Sequence, residues 1–223
     1  MSQIEKTPRT KLNRLPARGD YDRDHINAIL DEAMVCHIGF ANEAGEPVVI
    51  PSNYGRDGDR LFIHGSAIGR MTRSLASGVP VCVTVTLVDG IVLARSAFHH
   101  SMNYRSVMVF GNAVEITERD EKARALAAIT NHQLPGRWEE VREVTDAELN
   151  ATMVLALPIQ EASAKVRAGG PNDAEADLAL PIWAGVLPVG PRFGEPVVSE
   201  QAPTDVALPL PDCIATLKAK HAW

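Results

Sequence analysis

Between residues 22 and 33 the apolar positions Ile26, Ile29, Leu30 and Ala33 recur at helical spacing, and Asp22 and Asp24 suit the start of the helix they predict. Beyond residue 33 the pattern shortens to runs with strand character. Segments 34–41, 47–55 and 60–65 read as strands, joined by the turn 42–45 and an Asp57-Gly58 hairpin. Asp89-Gly90 predicts another hairpin, from a strand over 81–88 into one over 91–97, because Asp-Gly between apolar runs favours a tight turn. A short helix over 67–77 lies between these hairpins, with Ile68, Met71 and Leu75 as its inner stripe and Arg70 and Arg73 pointing elsewhere. A long strand is expected over 104–116, then an Ala-rich helix over 120–131 with Glu118, Asp120 and Glu121 where the helix dipole favours acids. A helical turn at 146–151 leads into a long strand pair or one bent strand, ended by Gly169-Gly170-Pro171.

This pattern divides the chain into an N-terminal arm (1–20) broken by Pro8 and Pro16, a central domain (21–187) and a C-terminal wrap (188–223). Six of the 15 prolines fall between Pro188 and Pro211, which suits a segment lying over a surface and not one building its own core. Strands joined mostly by hairpins, with few helices, predict a mainly β fold, an antiparallel barrel and not a doubly wound sheet. No Gly-x-Gly-x-x-Gly follows a strand and no Walker-type loop is present.

The 223 residues, 45% hydrophobic and 22% charged, are enough for one sizeable core. No apolar run approaches the ~20 residues of a bilayer span, and the polar first 20 residues lack a signal-peptide pattern. A net charge of −6 argues against broad binding to nucleic acid or acidic membranes. Residues 1–110 nonetheless hold 12 Lys/Arg against 11 Asp/Glu, so an anion site draws more readily on that half. Cys36, Cys82 and Cys213 are odd in number, and the first two sit in apolar runs. They read as buried thiols of a reducing cytoplasm.

Four stretches carry candidate chemistry. In 62–70, Phe-Ile-His-Gly-Ser-Ala-Ile-Gly-Arg, a strand ends at His64-Gly65-Ser66 and a helix opens with Gly69 and Arg70. Ser66 is placed to cap that helix, and a forked arginine beside free N–H groups suits an anion. An ordinary N-cap with a solvated arginine uses the same residues. In 97–107, two histidines, two serines, Asn103, Tyr104 and Arg105 crowd the start of a strand, as a ligand rim or as a polar loop. His99 and His100 are adjacent, and no cysteine or carboxylate completes a metal set. Pro51 interrupts a strand and exposes Ser52 and Asn53. Lys165 and Arg167 alternate onto one strand face, and Trp183 suits either core packing or a flat ring.

Taken in order, Ile-Pro-Ser-Asn-Tyr (50–54), Phe-Ile-His-Gly-Ser-Ala-x-Gly-Arg (62–70), His-His-Ser-Met-Asn-Tyr-Arg-Ser-Val (99–107), Ser-Ala-Lys-x-Arg (163–167) and Trp-Ala-Gly-Val-Leu-Pro (183–188) resemble the pyridoxamine 5'-phosphate oxidase-like flavin-binding split barrels. The branch most similar includes the nitroimidazole-resistance-type and flavin-nucleotide-binding proteins. The resemblance runs from about Arg9 to Pro188. It implies a six-stranded split barrel, a homodimer with FMN at the subunit interface, and oxidoreductase chemistry on a small molecule. It places Pro51, Ser52, Asn53 and Tyr54 at the isoalloxazine edge, and His64, Gly65 and Ser66 beneath the ribityl chain. Gly69 and Arg70 would hold the phosphate. Ser101, Asn103, Tyr104, Arg105 and Ser106 would close the site, with Lys165, Arg167 and Trp183 as further contacts. The chain ends Cys-Ile-Ala-Thr-Leu-Lys-Ala-Lys-His-Ala-Trp and lacks the Arg-Leu-x-Pro segment that grips the vitamin phosphate in true pyridoxamine phosphate oxidases. Its substrate is therefore expected to differ. The alternative is a flavin carrier without enzymatic activity, or a haem-handling split barrel.

Overall fold

The computed structural model describes residues 2–203 and 207–220, so Met1 of the arm and positions 204–206 and 221–223 of the C-terminal wrap lie outside the described residues. A 3-10 turn (Pro16–Arg18) leads into β1 (Gly19–Asp20), α1 (Arg23–Glu32), β2 (Cys36–Ala41) and β3 (Pro47–Ser52). Next come β4 (Tyr54–Asp57), β5 (Arg60–Ser66), α2 (Arg70–Ala76), β6 (Pro80–Leu93) and β7 (Ser101–Asn112). Then follow β8 (Val114–Glu115), α3 (Arg119–Gln133), α4 (Arg137–Glu140), α5 (Asp146–Ala151) and β9 (Thr152–Pro158). The last elements are β10 (Glu161–Arg167), β11 (Gly185–Pro188) and α6 (Asp212–Lys220), a helix the sequence pattern did not predict.

The strands form a seven-stranded sheet, ordered β1-β10-β7-β6-β2-β3 with β11 also on β6, and a four-stranded sheet, β4-β5-β9-β8. The registered pairs are antiparallel. The chain changes sheet at Asn53, through α2 between β5 and β6, at Ala113 and between β9 and β10. Those crossings close two sheets into a mainly β split barrel. They also explain why six expected strands become more: 47–55 and 104–116 each break at a crossing, and the segment after Ala151 becomes two strands in different sheets.

Ile38, Val83, Val85, Val107 and Val109 face Leu61, Ile63, Leu155 and Leu157 across the barrel. Helix α1 adds Ile26, Ile29 and Leu30 to that core, and its N-cap Asp22 accepts the N–H groups of Asp24 and His25. On its other face the four-stranded sheet packs Phe62, Val154 and Ala156 against Ala125 and Ile129 of α3. Contact there is close. A Cβ added at Gly55 would lie 2.6 Å from the backbone nitrogen of Ile129. Tyr54 is buried, with its hydroxyl donating to the carbonyls of Leu30 and Ala33, while His132 Nε2 bonds the same Ala33 carbonyl at 2.8 Å. The N-terminal arm lies on the large sheet, where Thr7 and Arg9 bind Glu161 and the Arg9 guanidinium sits 5.2 Å over the Phe110 ring.

The Asp89-Gly90 hairpin does not form. Strand β6 runs straight through it from Pro80 to Leu93, with a bulge between Val88 and Gly90, and the turn into β7 comes later, through a 3-10 turn at Ala97–His99. Gly90 is there for close approach: a Cβ would lie 2.9 Å from Val186 Cγ1 and 3.2 Å from the Leu187 carbonyl oxygen on β11. Among the described residues no helix is long and apolar enough to cross a membrane.

Candidate functional site

At the β5–α2 junction, Ser66 is the last strand residue and Gly69, not Ser66, is the N-cap of α2. The Ser66 hydroxyl turns to the Ile68 N–H at 3.4 Å, and the buried Thr72 hydroxyl ties the turn by donating to Ser66 O (2.7 Å) and Gly69 O (3.0 Å). A Cβ at Gly69 would lie 3.0 Å from both Ser66 O and Thr72 Oγ1, so a side chain there would have to push those neighbours aside. With only seven residues, α2 has a weak dipole. Positive charge here comes from side chains. Ile68, expected inside, is 83% exposed, because the helix begins two residues after it.

Arg70 and Arg73, one turn apart on α2, line a cleft of about 370 Å³ between the helix and the β2–β3 hairpin. Phe40, Val48, Ile50 and Met71 form its apolar wall. Arg73, which the sequence pattern points away from the core, shares this cleft through its three-residue spacing from Arg70. His64 faces the α3 side together with its register partner Val154, with Nδ1 buried and unpartnered. Desolvation holds its pKa below the usual histidine value, so the ring is neutral near pH 7.

The remaining candidates separate by environment. Tyr54 is a core residue, spent on the end of α1, and presents no ring to a surface cleft. Pro51 and Asn53 are exposed, while Ser52 is half-buried with its hydroxyl on the Asn53 carbonyl. Arg105 lines a cavity of about 760 Å³ with His37 and Pro188–Pro191, where Glu32 and Asp89 grip its guanidinium. The hydrogen bonds it donates to those two carboxylates raise its pKa, and the bulge at Asp89 gives that acid its reach. Arg105 is therefore neutralised within the chain. Arg167 is buried and donates to Asn103 Oδ1 and to the carbonyls of Gly169 (3.1 Å) and Gly170 (3.0 Å). Register sets Tyr104 opposite Arg167, and Ser106 opposite Lys165, on one sheet face, with Ser101 near the strand's start. Trp183 is 68% exposed and stacks its ring edge over Gly185. Among the described residues no hydrogen bond or ion pair joins this group to the His64–Arg70 group.

The outward face of the large sheet is the other conspicuous surface. Leu187, Ile91 and Met102 lie in one cross-strand row, and Met108 and Val49 share the face further along; all five are exposed apolar residues. Cys82 is on this face and only half-buried, unlike Cys36 and Cys213, which are buried. The expectation of a buried Cys82 thus fails, because alternation along β6 puts its inward neighbours Val81 and Val83 in the core.

Residues 22–166 match the family model described as pyridoxamine 5'-phosphate oxidase. No curated protein matches the chain. Among solved structures, the chain is similar to the flavocytochrome Anf3 from Azotobacter vinelandii, with 40% identity, a TM-score of 0.87, and coverage of 94% of this chain and 96% of that one. The FAD and heme binding protein from Mycobacterium smegmatis is 37% identical at a TM-score of 0.85, over 90% of this chain and 97% of that one. A candidate 5-nitroimidazole antibiotic resistance protein from Bacteroides thetaiotaomicron is 27% identical, with a TM-score of 0.57, over 66% of this chain and 86% of that one. With a family match across most of the barrel and two near-full-length likenesses, this chain belongs to the pyridoxamine 5'-phosphate oxidase-like family of split barrels.

Proposed function

We propose that this protein is a flavin-dependent oxidoreductase that holds the FMN moiety of its cofactor at the β5–α2 turn, as a homodimer. The observation that carries the reading is the near-full-length likeness to two proteins whose names include a flavin, at 40% and 37% identity. Local chemistry supports it. Arg70 is exposed, lies next to the tight Ser66–Gly69 turn and makes no ion pair with any described residue, so its fork is available to a phosphate. The flavin, when bound, supplies the redox chemistry. The chain's residues anchor and orient it. The exposed apolar rows on the large sheet support a two-fold partner. Three free cysteines suit a reducing compartment, which we take to be the cytoplasm.

FMN and riboflavin differ by one phosphate, worth about one to two decades of affinity through a charge-assisted contact. FMN should therefore bind about tenfold or more tightly than riboflavin, and Arg70→Ala should remove most of the difference. Flavin-fluorescence titration reads all four constants. No preference for FMN in the unmutated protein would sink the phosphate-anchored reading.

A second reading adds haem, because both near-full-length neighbours combine flavin with haem or cytochrome in their names. His100 fits an iron ligand. Its Nδ1 lies 2.8 Å from the Ser96 carbonyl, which can only accept, so in the neutral ring Nε2 carries the lone pair. Exposed Phe98 and Met102 flank it in sequence. Haem titration followed at the Soret band should succeed with the unmutated protein and fail with His100→Ala; an unchanged band in the variant would remove His100 from the reading.

A further inference from the structure

We infer that the cavity of about 760 Å³ beside the β6 bulge binds a small organic cation, an amine or amidine carried on an apolar body, with Asp89 as the group that recognises it. This site shares no lining residue with the Arg70 cleft, and it stands independently of the flavin reading. Its volume lies in the range that takes a whole small molecule. Met34, Val35, Leu87, Val88 and Val189 give it apolar walls. Segment 188–191 closes one side. It is held there by the pairing of β11 with β6 and by the Val189 N–H, which donates to the Asp89 carbonyl at 3.1 Å.

The polar wall sets the charge of the occupant. Glu32, His37, Asp89 and Arg105 are its titratable residues. The guanidinium is already spent: Nε donates to Asp89 Oδ2 at 3.0 Å, Nη2 to Asp89 Oδ1 and Glu32 Oε1 at 2.8 Å, and Nη1 to Glu32 Oε2. An anion would have to take that fork from two carboxylates and would meet their repulsion. A cation meets the opposite balance, two carboxylates against one guanidinium, all three partly buried where salt screens them less. An ionised carboxylate has about four acceptor sites, and among the described residues Asp89 Oδ2 takes the Nε bond alone. Acceptor capacity therefore remains for an N–H donor. Asp89 falls at the register shift between Val88 and Gly90, where a bulge leaves its extra residue out of the ladder and re-aims the side chain.

Benzamidine, benzyl alcohol and benzoate share a phenyl ring and differ in charge, so they probe the site. Binding is measured by calorimetry on the unmutated protein, with and without FMN, and on Asp89→Asn and Val35→Trp, each checked for folding by circular-dichroism melting. Val35 lines the cavity and is exposed, so tryptophan there fills the space and leaves the charged groups in place. Benzamidine should bind the unmutated protein about tenfold or more tightly than benzyl alcohol, with benzoate weakest. Asp89→Asn should weaken benzamidine about tenfold and move benzyl alcohol less than about threefold. It should also narrow the gap between benzamidine and benzoate, because part of the Arg105 fork is returned. Val35→Trp should weaken benzamidine and benzyl alcohol alike, and it decides the location if Asp89→Asn does not fold. Benzoate binding as tightly as benzamidine overturns the assignment to a cation. Benzamidine unmoved by a folded Asp89→Asn overturns the role of Asp89, and benzamidine unmoved by Val35→Trp overturns the cavity. Failure of benzamidine to bind, or binding that requires FMN, overturns the site altogether.

Discussion

Several polar side chains in this barrel are committed to the fold, and their chemistry can be tested one at a time. Tyr54 sits where α1 ends, donating to Leu30 O and Ala33 O, with its ring 4.5 Å from that of His132. Tyr54→Phe keeps the packing and takes the hydroxyl donor from the Leu30 carbonyl, while Ala33 O keeps His132, so it should cost about 1–3 kcal/mol in urea unfolding and leave flavin affinity unchanged. A loss of flavin with unchanged stability would return Tyr54 to the cofactor site. His64 gives a pH signature. Burial lowers its folded pKa beneath the 6.5 of the unfolded chain, so the unfolded state binds more protons as pH drops. Stability should therefore be intact above pH 6.5 and decline as pH falls below it, and His64→Gln should flatten that part of the curve. Cys36 acts at the other extreme. Burial pushes its thiol up to about 12 from 9.0, so between those values the unfolded chain loses its proton first and stability falls with rising pH.

At the level of elements, α3 lies so close to β4 that only glycine fits at position 55, with Ile129 N at 2.6 Å and the Ala128 carbonyl carbon at 2.7 Å from a would-be Cβ. Gly55→Ala must push the helix backbone away and should destabilise the protein by roughly 1–3 kcal/mol or more. Gly39→Ala, whose nearest contact would be an ordinary 3.6 Å from Cys82 O, is the control and should be nearly neutral; equal effects at both sites would mean the helix yields easily. Helix α1 was legible from its Asp22 cap and apolar spacing and α3 from its alanines and the acids of its first turn, all local signals, as are those of β2, β5 and the 42–45 turn. The errors came from tertiary demands. Asp89-Gly90 has the composition of a hairpin, but its glycine admits β11 and its bulged aspartate reaches Arg105. Strand 47–55 reads as continuous because nothing local marks Asn53 as the place where the chain leaves one sheet for the other. Ser66, Gly69 and Arg70, the residues of the proposed flavin site, stand in one local stretch that the sequence displays. The cleft lined by Arg70 and Arg73 depends on a hairpin that sequence alone could not bring alongside them, and the grip of Glu32 on Arg105 spans 73 residues.

On the scale of the whole molecule the two sheets are treated unequally. The four-stranded sheet has α3 over its outward face, whereas the large sheet turns the exposed Leu187, Ile91, Met102, Met108 and Val49 outward beside the N-terminal arm laid on part of it. Exposed apolar rows of this kind mark an interaction surface, and the proposed two-fold copy would cover them. Cys82 lies on this face between Gly39 and Phe110 in register, and is half-buried within one chain. In the proposed dimer it is covered, and in a monomer it is reachable. A thiol reagent should therefore modify Cys82 slowly at concentrations where sedimentation shows a dimer, and faster on dilution or in a Met108→Asp variant that puts a charge on the interface. Cys36, sealed in the barrel core, should stay protected in both states until the protein unfolds. Equal Cys82 rates in the dimer and in the Met108→Asp monomer would mean that the subunits meet elsewhere, and that the outward face of the large sheet serves some other contact.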